Sequence, residues 1–449
     1  MPDVPVKLTE LSVIEAASLI VGRHLTSSKL TGTLLQRIEL TDERLNAWAH
    51  VDAMGARAEA ARLDSVAPLG LLHGIPVGVK DLIDVDSMPI TLGWVWPSSS
   101  TPIAGTDAIV VRRLRKAGAI IMGKTVTTPF AGPDISITTN PWNIERTPGG
   151  SSSGSAAAVA SGQIPAALGT QTVGSVLRPA AYCGVVGFKP TFGVLSTEGV
   201  FPMAWSLDQV GILTRSVADA GLVFDAIADL SIGDRAAERE NPSWRPRIGV
   251  QADILALSDE QTQLNIASAL EICKAAGAEV ILVPSPEKLE YVLSVFGPMW
   301  LAELYAVHEE GFKRRAALYP PALRTLIELG SVIPASTYLK TRRLMGHIRC
   351  RFAEVFGQYD ALLSPVVPST APVRTTTGDY RFQATWSVLG VPAISIPSGW
   401  DKQHLPFAIQ LASGHGQDQL LLRVARWIER LMPHTRSIAP PIELNKLVA

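Results

Sequence analysis

Cysteine, charge and long apolar runs are all scarce in this chain. Only three cysteines occur in 449 residues, Cys183, Cys273 and Cys350, and no two form a Cys-x-x-Cys pair. An odd, sparse set excludes a disulfide framework and fits a reducing compartment, so a cytoplasmic protein is expected. Charged residues make up 18% of the chain and its net charge is −1, which leaves no basic footprint for nucleic acid or an anionic membrane. No apolar stretch is long enough to span a bilayer; the Ala-rich stretch from Ser155 to Leu168 is broken by Gly162, Gln163 and Pro165. Glu10 and Glu15 interrupt any signal-peptide apolar region. The eight histidines show no metal-ligand spacing, so no metal is expected. Hydrophobic residues are abundant at 47%, which allows a large core and excludes a disordered chain.

The pattern of elements follows from periodicity and punctuation. Ser12 and Glu15 have capping-box spacing, and Leu30, Leu34 and Ile38 repeat every four residues, so residues 9–65 read as helices. Beyond them strands and helices alternate. Strands are predicted at Ile75–Val79, Ala119–Met122, Val185–Phe188, Arg247–Val250, Val280–Val283, Ala361–Leu363, Ala393–Ile396 and Phe407–Leu411. Helices are predicted at Ile109–Lys116, Ala156–Ala160, from Ser258 and Gln261 at capping-box spacing to Ala276, over residues 286–355, and at Gln417–Leu431. Such alternation predicts an α/β fold with a large, mixed, mostly parallel twisted sheet between helical layers. There is no internal repeat and no low-complexity tail.

Three local patterns could carry chemistry. Gly118-Ala119-Ile120-Ile121-Met122-Gly123-Lys124-Thr125 matches a phosphate-binding loop literally, but its middle is apolar and strand-forming, which cannot make an exposed cradle. Gly150-Ser151-Ser152-Ser153-Gly154 matches the nucleophile elbow of an α/β-hydrolase, with Ser152 at its tip and His404 or His415 downstream. The residues before it, Asn143 to Pro148, read as a loop where the elbow needs a strand. The third pattern joins Lys80, at the end of Ile75-Pro76-Val77-Gly78-Val79, to two Gly/Ser segments around Ser151 and Ser175. A serine hydroxyl needs a base to become a nucleophile. A lysine serves as that base only when desolvation depresses its pKa, and Lys80 follows an apolar strand that would hold its amine in the interior. Cys183 lies beside Gly184-Val185-Val186-Gly187, which reads as buried packing.

Taken in order, these segments resemble the amidase signature family of serine hydrolases. The likeness is strongest from His73 to Asp219, through His73-Gly74-Ile75-Pro76, Asn140-Pro141-Trp142-Asn143, Pro148-Gly149-Gly150-Ser151-Ser152 and Pro179-Ala180-Ala181-Tyr182-Cys183-Gly184. It is weaker from Tyr359 to Glu429 and poor over 230–350. The resemblance implies one domain over 1–449, with a helical segment to 65, a signature core over 66–220, a substrate-shaping region over 230–350 and core strands and a helix over 351–449. It implies a Ser–Ser–Lys relay of Ser175 (nucleophile), Ser151 (bridge, with an unusual cis peptide) and Lys80 (base), with Ser152 in support. It implies an oxyanion hole in the backbone of Thr172, Val173, Gly174 and Ser175. The expected reaction is amide hydrolysis through an acyl-enzyme, without cofactor, on a small-molecule amide, ester or carbamate. A stand-alone enzyme is expected rather than the amidase subunit of a glutamine-dependent amidotransferase, and a homodimer is compatible with it. Aromatics at Trp94, Trp96, Phe201, Met203, Trp205 and Trp300, with Phe296, Met299, Tyr305 and Phe312, suggest a hydrophobic or aryl pocket. Four positions depart from the family pattern: Ser153 for glycine, Gln171 for aspartate, Val173 for glycine, and an arginine displaced by one place at Arg178.

Overall fold

The structure, a computed structural model, describes residues 8–94, 101–228, 243–432 and 438–439. Eleven strands form one sheet: β1 (Trp48–Val51), β2 (Pro76–Lys80), β3 (Ile120–Thr125), β4 (Ala166–Gln171), β5 (Val186–Lys189), β6 (Gln209–Thr214), β7 (Arg247–Gln251), β8 (Glu279–Val283), β9 (Ala361–Pro365), β10 (Ala393–Trp400) and β11 (Pro406–Ala412). Their spatial order is β1-β3-β2-β4-β6-β5-β10-β11-β9-β7-β8. The expected mixed α/β sheet is present, but its parallel share is smaller than the alternation suggested. β2–β3, β2–β4, β7–β8 and β7–β9 are parallel, and the six other neighbouring pairs are antiparallel. The cause is local: β10 and β11 join through a short loop as a hairpin, and β6 returns antiparallel between β4 and β5, where no strand was predicted.

Period-two alternation along the strands builds a core on each face. Leu363, Ile394, Ile396, Ile409 and Leu411 pack with helices Val217–Ile227, Glu260–Ala275 and Asp418–Glu429. Their neighbours Leu362, Ala393, Ala408 and Ala412 pack with helices Leu289–Arg315, Ala335–Phe356 and Arg381–Leu389. The sheet therefore lies between helical layers. The Ser12–Glu15 capping box forms as expected, and helix Ile109–Lys116 has the predicted bounds. At the later helix the cap is Asp259, whose carboxylate accepts from Thr262 N at 2.8 Å, while the Ser258 hydroxyl turns back to Leu255 O. β1, β4 and β6 were not anticipated; at β4, Ala166-Ala167-Leu168-Gly169 reads as small residues without strand character. No helix among the described residues is long and apolar enough to cross a membrane.

Candidate active site

Parallel pairing of β2 with β4 sets the site. The register Val79↔Leu168 brings the C-terminal ends of both strands together, so Lys80 lies beside Thr170. The loop Gly149–Ser152 closes over these ends. Lys80 Nζ is 2.7 Å from Ser151 Oγ, 2.8 Å from Thr170 Oγ1 and 3.4 Å from Thr170 O. Lys80 is fully buried, and desolvation holds its ammonium well below the usual lysine range. The charge of Asp208 opposes that effect and the charge of Arg178 adds to it. A neutral amine has two N–H groups and one lone pair. In that form the two N–H groups can go to Thr170 O and Thr170 Oγ1, which leaves the lone pair for Ser151 Oγ.

The Gly150–Ser151 peptide is cis, as the resemblance implied. Gly149 before it has φ +80°, and a Cβ there would fall 2.8 Å from Pro179 Cα. Arg178 Nη2 donates to Gly150 O at 2.8 Å, so the displaced arginine holds this peptide from the other side. Ser153 opens helix Ser153–Ala160 and ties its hydroxyl back to Gly149 O at 2.9 Å. Ser152 makes no hydrogen bond to Lys80 among the described residues. Its Oγ sits 3.2 Å from both Thr170 O and Thr170 N, and its N–H donates to Ser175 O at 3.1 Å. It thereby joins the Lys80 side of the site to the Ser175 side. Ser175 is half-buried, whereas residues 171–174 and 176–183 are all buried.

The turn before Ser175 is clamped with its own donors free. Among the described residues none accepts a hydrogen bond from the backbone N–H of Thr172, Val173, Gly174 or Ser175. Gln171 Oε1 instead accepts from Val176 N at 2.9 Å and Leu177 N at 3.0 Å, capping helix Leu177–Cys183; this is the structural use of the glutamine. Thr172 Oγ1 donates to Asp208 Oδ1 at 2.6 Å, and Ser387 Oγ donates to Val173 O at 2.7 Å. The Val173 side chain joins the core on that face. A Cβ at Gly174 would lie 2.1 Å from Gln383 Oε1, so Gln383 would have to shift to admit a side chain there. Asp208 also accepts from Met203 N and Ala204 N, at 2.7 and 2.9 Å, and burial pushes its carboxyl up to about 6.

A small cavity adjoins this turn. Thr170, Thr172, Asp208 and Gln209 form its polar side and Leu82, Ala131, Phe201 and Met203 its apolar side. Leu82, Ala131 and Met203 belong to a cluster that includes Phe130, Leu304 and Leu323, with Phe201, Trp94, Trp300, Tyr305 and Phe312 packed against it. Phe296 and Met299 lie in the core beneath. Trp205 departs from the expected pocket: it is 56% exposed, because the Met203 and Ala204 amides are pinned to Asp208 and the chain turns Trp205 outward. Trp96 lies outside the described residues.

The competing patterns dissolve. Residues 120–125 are a buried strand, and Lys124 pairs with Asp81 at 3.1 Å in the interior. No strand precedes Ser152, and His404 and His415 are exposed. Burial pushes the Cys183 thiol up, against a nucleophilic role. No cluster of metal-ligating side chains occurs among the described residues. Sequence reasoning missed Thr170, Asp208, Gln383 and Ser387. Thr170 sits at the end of the strand that went unseen, and no local pattern marks the other three.

Known proteins share both the sequence and the geometry. A family model described as Amidase matches residues 29–422. A glutamyl-tRNA(Gln) amidotransferase subunit of Anaeromyxobacter dehalogenans is 35% identical over 94% of this chain and 96% of that one, and its counterpart of Roseiflexus castenholzii is 32% identical over 96% and 97%. A crystal structure of an amidase superposes with a TM-score of 0.85 at 31% identity, covering 94% of this chain and 100% of the other. The peptide amidase of Stenotrophomonas maltophilia superposes with a TM-score of 0.83 at 27% identity, covering 97% and 99%. Agreement along nearly the whole length, joined to a buried lysine facing a cis-peptide serine, places this chain in the amidase signature family.

Proposed function

We propose that the protein is a stand-alone amidase that cleaves C–N amide bonds through an acyl-enzyme on Ser175. The observation that carries this reading is the contact of buried Lys80 with Ser151 Oγ at 2.7 Å, beside Thr170 Oγ1 at 2.8 Å. Neutral Lys80 takes the Ser151 proton as Ser151 takes that of Ser175, and Ser175 Oγ bonds to the substrate carbonyl carbon. The free N–H groups of the Thr172–Ser175 turn receive the oxyanion; one such donor is typically worth ~3 kcal/mol of barrier. The tetrahedral species collapses as the C–N bond breaks. Ser151 protonates the departing nitrogen and regains its proton from the Lys80 ammonium. Water then repeats the sequence on the acyl-enzyme, releasing the acid and free Ser175. No step needs a metal or cofactor.

The apolar side of the cavity favours a hydrophobic or aryl substrate, and the same chemistry serves aryl esters and carbamates. We assign residues 230–350 to substrate shaping, because helix Leu289–Arg315 supplies Leu304 and Trp300 to that side. A second reading, the amidase subunit of an amidotransferase, is favoured by the relatives at 32–35% identity that are named as amidotransferase subunits. Gln171 and the displaced Arg178 speak for the stand-alone enzyme.

A fluorophosphonate probe with peptide mapping tests the nucleophile. Labelling at Ser175 that survives Ser152→Ala and disappears in Ser175→Ala is expected; labelling at Ser152, or none, overturns the scheme. Gel filtration with an activity assay on the isolated chain separates the two readings, since only the stand-alone enzyme turns over amides alone.

A further inference from the structure

One buried charge beside the relay has no use in the scheme so far. Arg178 is the second residue of helix Leu177–Cys183, three positions after Ser175, and is 6% exposed. Its backbone N–H donates to Gly174 O at 3.0 Å, an ordinary helical bond, and its Nη2 donates to Gly150 O at 2.8 Å. One residue thus grips both segments that carry the serines: the turn that ends at Ser175 and the cis peptide that begins Ser151.

That tie alone does not call for arginine. A carbonyl accepts equally well from a neutral donor, and a buried guanidinium is costly unless its charge is paired. Nε and Nη1 of Arg178 have no partner among the described residues, and Nη2 adds only Thr377 Oγ1 at 3.4 Å. Tyr182, Asp379 and Tyr380 act on the guanidinium through space, but the Asp379 carboxylate is bound by Arg381 at 2.6 Å. Burial lowers the Arg178 pKa, yet a guanidinium stays charged at physiological pH. The fold therefore keeps a cation here that its own packing does not neutralise. What the charge meets is Lys80. Beyond desolvation, the largest cause, two charges act on that amine: Asp208 favours its protonated form and Arg178 its neutral form. A fixed cation repels the ammonium and leaves the amine untouched, and in the proposed scheme only the amine can take a proton.

Resting on the amidase reading, we propose that Arg178 is a positioning residue of the relay, which staples the Ser151 peptide to the Ser175 turn and sets a fixed positive charge against Lys80. It acts through Gly150 and Lys80 rather than on the substrate.

Three variants separate the staple from the charge. Arg178→Lys keeps the charge, Arg178→Gln keeps a neutral donor, and Arg178→Met keeps neither. The pH profile of kcat/KM on an aryl amide is measured for each. Without the cation Lys80 holds its proton to higher pH. The acid limb should therefore move up by about one unit in Arg178→Gln and Arg178→Met, and stay within about 0.3 unit of wild type in Arg178→Lys. The plateau should fall about tenfold or more in Arg178→Met, where the Gly150 carbonyl loses its charged donor. Arg178→Gln carries the comparison if Arg178→Met fails to fold. A limb that stays in place in Arg178→Gln, or moves alike in Arg178→Lys, overturns the proposal; a raised KM for acidic amides with an unmoved limb would make Arg178 a substrate contact instead. The Lys80 titration is also read without turnover, from the NMR signal of its ε-methylene, assigned with Lys80→Met. A Lys80 titration that moves in Arg178→Gln while wild type turns over no amide would keep the role of Arg178 and remove the amidase reading; turnover with an unmoved titration would do the reverse.

Discussion

Thr170→Val is the most direct probe of how Lys80 is held. Valine keeps the shape of threonine and removes only the oxygen 2.8 Å from Lys80 Nζ, leaving Thr170 O at 3.4 Å as the remaining acceptor at that position. A neutral–neutral hydrogen bond contributes about 0.5–1.5 kcal/mol, and a bond from a charged donor about 1.5–3 kcal/mol. Loss of the neutral bond frees the lone pair from its aim at Ser151 and should slow acylation by roughly 2- to 12-fold. The ammonium loses more than the amine does, by ~1 kcal/mol, which drops the Lys80 pKa further. In the proposed scheme activity requires the neutral amine, so kcat/KM rises as pH climbs through that pKa. The acid limb of the variant should therefore move to lower pH, and the variant should lose less activity in acid than at the plateau. The assay is a pH profile of kcat/KM on an aryl amide for both proteins. An acid limb that stays in place or moves to higher pH would refute the reasoning, because Thr170 would then not be in contact with the titrating group.

Three further outcomes follow from the same geometry. Lys124→Met leaves Asp81 charged and buried without its partner, which should cost ~3–5 kcal/mol in urea unfolding; a change under ~1 kcal/mol would mean the pair is not desolvated. Gly174→Ala should lower activity sharply, since its Cβ would strike Gln383 Oε1, and Gln383→Ala in the same chain should restore part of the loss; no rescue would place the obstruction elsewhere. Asp208→Asn should gain stability relative to wild type as pH rises. Burial raises the folded carboxyl from 3.8 to about 6, so wild type acquires a desolvation cost across that window, approaching ~3 kcal/mol above it, whereas asparagine does not titrate. Urea unfolding at either end of the window checks this, and a gap independent of pH would contradict it.

Much of this was legible because the decisive signals are local. Lys80 follows a short apolar run ended by Asp81, and that run alone predicts a strand with a desolvated amine at its end. The glycines around Ser151 and Ser175 mark turns whatever the fold. What stayed hidden depends on pairing. β4 has the composition of a small-residue helix and becomes a strand because β2 and β6 flank it, so Thr170 could not be seen as a partner of Lys80. Asp208, Gln383 and Ser387 reach the turn from segments 36 to 214 positions away, with nothing in their own neighbourhoods to mark them. Trp205 shows the opposite error: aromatic character suggested a pocket, and two backbone bonds to Asp208 turned the ring to solvent.

The sheet has one seam with a consequence for the timing of assembly. Apart from the β5–β10 pairing, which spans three residue pairs, β1–β6 pair among themselves and β7–β11 among themselves. Lys80, Ser151 and Ser175 belong entirely to the first set, as do two of the clamps on the oxyanion turn, Gln171 and Asp208. The other two, Ser387 and Gln383, come from the helix that precedes β10. A ribosome-bound chain that has released only the first set therefore carries the residues of the proposed relay but lacks the Ser387 bond to Val173 O. The Ser387 bond to Val173 O accordingly forms only on docking across the seam, and in the proposed scheme hydrolytic competence arrives last, when synthesis is nearly finished.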